Sequence, residues 1–237
     1  MKEVDILKVR PSLAIVSITV LLLGLILPLQ MNLNERRLSE GLVERLVLLP
    51  GDMVSSVILG GFRGVAADIL WLRTDMYFHQ GQWYKVLPLY RTITFLQPHF
   101  LQAWSVAGWH MAYNIYHEAR EEDQPKWLEA GLNFLKEGII YNPDRYELYF
   151  ETGWTYFHKA QNYDEAIKYF RRAIRFPHPD YIDRMIAHAF LKKGDVKGAY
   201  REWQRIVKLY PKDSLSRDWL NKVEARLEKY PQQGGIQ

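Results

Sequence analysis

The chain has 237 residues, enough for one ordinary domain or for an anchor joined to a string of small repeats. Its 31 basic and 27 acidic side chains leave a surplus of only 4, which gives no concentrated basic face of the kind nucleic-acid binding requires. Cysteine is absent, which excludes disulfides, thiolate chemistry and cysteine-ligated zinc, while 48% hydrophobic and 14% aromatic content is ample for a core.

Residues 1–10 are a short tail, and 11–31 run from Pro11 to Met31 without a charge. At about 1.5 Å per residue a helix over that stretch reaches about 31 Å, which crosses a hydrocarbon core. A cleaved signal peptide would have a shorter apolar stretch and a small-x-small site, and Leu27-Pro28-Leu29-Gln30-Met31-Asn32 offers none. A retained single-pass transmembrane helix is therefore expected. Lys2, Lys8 and Arg10 precede it and Arg36, Arg37 and Arg45 follow it, an even count. Lys8 and Arg10 lie against the membrane edge, which favours an N-terminus inside and the rest of the chain on the extracytoplasmic side.

Residues 32–66 read as a helical connector. Leu42, Val43, Leu46, Val47 and Leu49 predict an amphipathic turn or two, Pro50-Gly51 breaks it, and Val54 to Ala67 predicts a helix leading onward. Gly60, Gly61 and Gly64 have neither the spacing of a phosphate loop nor a strand before them, and read as small residues for close packing.

From 67 to 211 one pattern recurs at a period of about 34 residues, the signature of stacked helix-turn-helix units. The units are about 67–100, 101–145, 146–179 and 180–213, closed by Pro98, Pro143, the Pro177/Pro179 pair and Pro211. Gly108, Gly153 and Ala187 on first helices, and Ala166, Ala173 and Ala199 on second helices, are small enough for paired helices to approach. Tyr77, Tyr90, Tyr156, Phe170 and Trp203 then fill the space between. In the first unit Val86 and Ile93 stand at the small places, so its helices are expected to be pushed apart. The second unit carries an insertion around 116–125 with Glu118, Glu121, Glu122 and Asp123, which predicts a longer first helix and a turn whose charges are ordinarily just solvated. Residues 214–229 predict a lone capping helix with Leu215, Trp219, Val223 and Leu227 on one stripe, and 230–237 a disordered tail.

These units resemble the tetratricopeptide repeat family, whose pattern runs W-x2-L-G-x2-Y, then A-x3-F, then P. Tyr77, Gly81, Trp83, Tyr90 and Pro98 carry the likeness in the first unit, and Trp104 and Gly108 in the second. Gly153, Tyr156, Ala166, Phe170 and Ala173 carry it in the third, and Ala187, Phe190, Gly194, Ala199, Trp203 and Pro211 in the fourth. The stretch from Ala66 to Arg73, with Pro98-His99-Phe100 and Ala103-Trp104, also resembles a group of bacterial membrane-anchored repeat proteins of poorly defined role. The resemblance implies an all-α protein: an N-terminal transmembrane helix, an α-solenoid of about four helix-turn-helix units and a C-terminal capping helix.

In that family the first helix of each unit lines a concave groove. Carried onto this sequence, the groove comprises Trp71, Asp75 and Phe78, then Ser105, Trp109 and Tyr113, then Phe150, Trp154, Phe157 and His158, then Tyr181, Arg184 and His188. Asp75, Trp109, Trp154 and His188 occupy the place where clamps for a C-terminal carboxylate carry asparagine, so no such clamp is expected. The aromatic lining suits an apolar or amphipathic segment of a protein partner. The same rings could instead be covered by the protein itself, and the sequence leaves both readings open.

No catalytic, cofactor or metal site is expected. His110 and His117 lie two helical turns apart, about 10 Å, too far for both to hold one ion. His178-Pro179-Asp180, after the basic run Arg171-Arg172, resembles the signature of J-domain co-chaperones, but it falls at a turn where the repeat itself calls for proline. The sequence reads as a non-enzymatic scaffold or adaptor in the bacterial inner membrane, binding a protein partner in an envelope complex, with no nucleic acid or small-molecule substrate. A membrane-tethered co-chaperone and a non-catalytic subunit of an envelope transferase or transport machine are the alternatives.

Overall fold

The computed structural model describes residues 63–229 together with 16–18, 20–22, 24, 25 and 28. The tail 1–10, most of the expected membrane helix 11–31, the connector over 32–62 and the tail 230–237 lie outside the described residues. Those of 11–31 that are described are helical, with Val16, Ile18, Val20, Leu21, Leu22 and Leu25 exposed. Among the described residues no helix is long and apolar enough to cross a membrane, and none belongs to a strand. Backbone proximity divides the chain into two units, 1–70 and 71–237. The contacts described below all lie within the second.

The helices are α1 (Arg63–His79), α2 (Trp83–Leu96), α3 (Leu101–Trp109), a π-helical segment (His110–Ile115), α4 (Tyr116–Glu118), α5 (Gln124–Tyr141), α6 (Tyr146–His158), α7 (Tyr163–Ala173), α8 (Tyr181–Lys193), α9 (Val196–Leu209) and α10 (Ser214–Lys229). They pair in an all-helical, repeat-like order: α3 and the π segment with α5, α6 with α7, α8 with α9, and α10 against α9. α3, the π segment and α4 run on without a break, so the first helix of the longer unit extends to Glu118. Of the acidic run, Asp123 is held between Arg120 and Lys126 and Glu122 pairs with Arg120, all at the surface.

Local chemistry explains where helices begin and end. Asn162 and Asp195 accept a hydrogen bond from the backbone N–H of Glu165 (3.1 Å) and Gly198 (2.7 Å), satisfying orphan donors at the starts of α7 and α9. Asp213 does the same for Ser216 at the start of α10 (3.2 Å). Gly194 ends α8 with φ 89°, a left-handed conformation that costs glycine little. The closing prolines work through their carbonyls. Pro98, Pro143 and Pro211 each accept from a side chain six residues on: Trp104 Nε1 (2.8 Å), the Tyr149 hydroxyl (2.9 Å) and the Arg217 guanidinium (2.7 Å). Proline cannot continue the preceding helix, and its bonded carbonyl fixes where the next one starts.

Packing depends on missing side chains. A Cβ on Gly131 would meet the Gly108 carbonyl at 2.7 Å and the Ala112 Cβ at 2.9 Å, so α5 crosses α3 and the π segment at backbone distance. A Cβ on Gly138 would strike Trp104 at 2.8 Å, and one on Gly153 would strike Phe170 at 2.7 Å. Trp104 and Phe170 are fully buried as a result. The first pair behaves differently. Val86 and Ile93 of α2 are fully buried at the places where other units have small residues, so α1 and α2 meet through larger side chains. Rings bridge them instead, Trp71 against Tyr90 (centroids 6.0 Å) and Phe78 against Trp83 (5.1 Å).

At the other end Val223 of α10 is buried and Trp219, Leu220 and Leu227 pack on the cluster around Trp203. Leu215 is not part of that stripe. It stands 52% exposed, because Asp213 starts the helix with Ser216 turned inward and the inner face shifts to Leu220.

Gly131→Ala is expected to lower unfolding free energy by about 1–3 kcal/mol, since the atoms its methyl group meets are backbone or anchored to it. Urea unfolding followed by circular dichroism measures it. An unchanged midpoint would mean that α5 does not cross at this distance.

Candidate protein-binding groove

The first helices of successive units set their aromatic residues in one line. Trp109 of α3 stacks on Tyr113 of the π segment (centroids 6.2 Å). Tyr113 stacks on His158 of α6 (5.7 Å), and His158 on Trp154 (5.5 Å, 6° between planes). Trp154 stacks on Phe150 (6.3 Å), which meets Tyr181 of α8 edge-on (5.4 Å). Helical spacing places Phe150, Trp154 and His158 on one face of α6. The wider turn of the π segment adds a residue where the line passes from α3 to α6. Trp109 and Tyr181 are 43% and 41% exposed, and Trp154 and Tyr113 are half-buried. Lys159 lies over Tyr113 (5.1 Å to the centroid) and Tyr116 (4.5 Å). Phe157, also on α6, turns inward against Tyr163 and Phe170. Ser105 is half-buried one turn before Trp109.

The remaining positions of the expected groove are engaged within the protein. Phe78 stacks on the buried His110 at 4.1 Å, and Trp71 packs on Tyr90 and Phe100. Asp75 is exposed and makes a local pair with His79. Arg184 bridges Asp180 (3.2 Å) and Asp213 (2.8 Å), tying α8 to the turn before α10. His188 is packed edge-on against Trp203 (5.1 Å) and Trp219 (4.8 Å). Burial, and secondarily the charge of Arg184, lowers its pKa.

His178-Pro179-Asp180 is accounted for by the turn that holds it. His178 places Nδ1 on the Phe176 carbonyl (2.6 Å) and Nε2 on Asp183 (2.9 Å). Asp183 is buried, and Arg205 (2.7 Å) and the Tyr210 hydroxyl (2.9 Å) complete its shell. Burial works to raise its carboxyl, but the three hydrogen bonds outweigh burial and hold it below the usual range. This polar knot joins α8 to α9, with His178 half-buried inside it.

Residues 147–180, covering α6, α7 and the turn beyond, match the family model described as tetratricopeptide repeat. The chain carries a tetratricopeptide repeat. Among curated proteins no sequence matches it. Among solved structures it is similar to TTC0263, a thermophilic tetratricopeptide protein of Thermus thermophilus. That likeness has 20% identity over 67% of this chain and 81% of that one, with a TM-score of 0.49. It is also similar to MamA (41-end) from Desulfovibrio magneticus RS-1, at 14% identity over 79% and 97% of the two chains and a TM-score of 0.46. Likeness of this degree assigns neither activity nor partner. The tetratricopeptide repeat itself contributes Phe150, Trp154 and His158, the middle of the ring line.

Glu151 escapes a reading by repeat register, because an acid beside Phe150 on a helix surface is ordinarily solvated. Here it is half-buried, and burial raises its carboxyl above the usual range. The Tyr113 hydroxyl, turned toward Thr155, is pushed up to about 12 by burial, and Thr155 opposes that while Glu151 adds to it.

Beside Trp109, at the start of the line, burial lowers His110 from 6.5 to about 4, opposed by Asp75. Its folded pKa lies below its unfolded one, so the stabilising effect of the neutral ring is complete above pH 6.5. It is lost as pH falls toward about 4, because the unfolded chain takes up the proton that the folded one refuses. The loss across that window is about 3 kcal/mol. Between about pH 7 and pH 4.5, denaturant titrations are expected to show the unsubstituted chain losing about 2–3 kcal/mol more than His110→Phe. Equal losses in the two proteins would refute the assignment.

Proposed function

We propose that this protein is a non-catalytic scaffold held in the bacterial inner membrane by residues 11–31, with its repeats on the extracytoplasmic side. Its ring line binds an apolar or amphipathic segment of a protein partner during assembly of an envelope complex. The observation that carries this reading is the unbroken run of rings from Trp109 to Tyr181, open at both ends. Exposed rings in contiguous array are uncommon on a monomer, and Trp and Tyr supply much of the binding energy in protein interfaces. The uncharged span of 11–31 supports the anchor, and Lys8 and Arg10 at its edge support the orientation.

The full chain is expected to sediment with membranes and, after solubilisation in mild detergent, to retain a defined partner by affinity capture. Trp109→Ala with Trp154→Ala is expected to keep the helical signal and weaken retention at least about tenfold. A folded double variant with an unchanged set of partners would contradict the reading.

A further inference from the structure

Two acids lie on α6 near the ring line, and the protein treats them differently. Glu147 is paired with Arg145, whose guanidinium donates to it at 2.8 Å. Glu151, one turn on and beside Phe150, has a half-buried carboxylate that meets no cation and accepts no hydrogen bond among the described residues. Helical spacing puts it on the face of α6 that carries Trp154 and His158, three and seven residues on, and its charge acts on Tyr113 of the π segment and Tyr181 of α8. A desolvated carboxylate ordinarily has a partner, because an unpaired buried charge is costly. Ring faces around a carboxylate attract a cation doubly, through the π cloud and through the charge. The same line already takes one cation, Lys159 over Tyr113.

We infer that the segment held along the ring line presents a lysine or arginine to Glu151, flanked by apolar residues that lie on Trp154 and Tyr181. This rests on the reading of the ring line as a protein-binding groove. It names the chemistry of the occupant: an apolar segment with one cation in register with the middle of α6. The neighbouring acid cannot serve instead, since Glu147 already has Arg145.

The test uses the full chain in its native membrane with p-benzoylphenylalanine in place of Trp109 or, separately, of Tyr181. Ultraviolet crosslinking and mass spectrometry map the peptide caught at each end of the line. The expected peptide belongs to another protein and carries a Lys or Arg between the two crosslinked points. A synthetic copy of it is expected to bind Glu151→Gln at least about thirtyfold more weakly than the unsubstituted chain. A copy with that cation replaced by Met is expected to lose as much. Glu151→Gln itself is expected to melt no lower than the unsubstituted chain, so weaker binding is not unfolding. A mapped peptide without a cation, or equal affinity for Glu151→Gln, overturns this inference and leaves the groove standing. No crosslink from either position, or crosslinks only to residues 32–62 or to a second copy of this chain, overturns both.

Discussion

Close approach of helices at places without side chains sets where the rings from α3 onward lie. α5 can cross α3 and the π segment at backbone distance because Gly131 faces the Gly108 carbonyl, and α6 can receive Phe170 because Gly153 leaves room for it. Once those crossings are fixed, the first helices stand side by side with Trp109, Tyr113, His158, Trp154, Phe150 and Tyr181 on neighbouring faces. Interiors pack to crystal density, so a methyl group at a crossing is felt along the whole stack. Where valine and isoleucine replace small residues, at Val86 and Ile93, aromatic bridges link the two helices. The ring line begins at α3 for that reason: the rings of α1 are used to hold α2 and His110.

Charge is distributed on the same logic. Asp183 is the most deeply placed carboxylate near the α8–α9 pair, and three donors surround it. Arg184 has two carboxylates and little exposure. Both are interactions whose partners sit within the fold, and their work is to fix one helix against the next. Glu151 is the exception on α6, half-buried on the face that carries Trp154 and His158 and left with burial alone acting on it. Proteins tolerate such uncompensated groups chiefly where something else is to be met.

Much of this was legible in the residues. The recurrence of Gly, Ala and aromatic residues at constant offsets identified stacked helix pairs, and the tetratricopeptide resemblance stands for 147–180. Register alone brought Trp109, Tyr113, Phe150, Trp154, His158 and Tyr181 onto one list, because each occupies the same face of a first helix. Contacts that do not repeat could not be read that way. Arg184 is taken by Asp213, and His188 by Trp219, both from a stretch outside the periodic pattern. The π segment leaves no mark in a period of about 3.6, since one added residue in a buried helix changes direction without changing composition. Glu151 was invisible for a different reason: nothing in an acidic residue's neighbours along the chain says that the packing of other helices will half-bury it.

The central claim is that the line from Trp109 to Tyr181 is an open binding face that a partner covers. Covalent footprinting of Trp and Tyr side chains, read by mass spectrometry on the full chain both purified and in its native membrane, tests it most directly. Trp109 and Tyr181 are expected to react readily in the purified protein and to be protected in the membrane. The buried Trp104 and Trp203 are expected to stay unreactive in both. Protection of Trp109 and Tyr181 in the purified chain, or equal reactivity in the two settings, would contradict the claim.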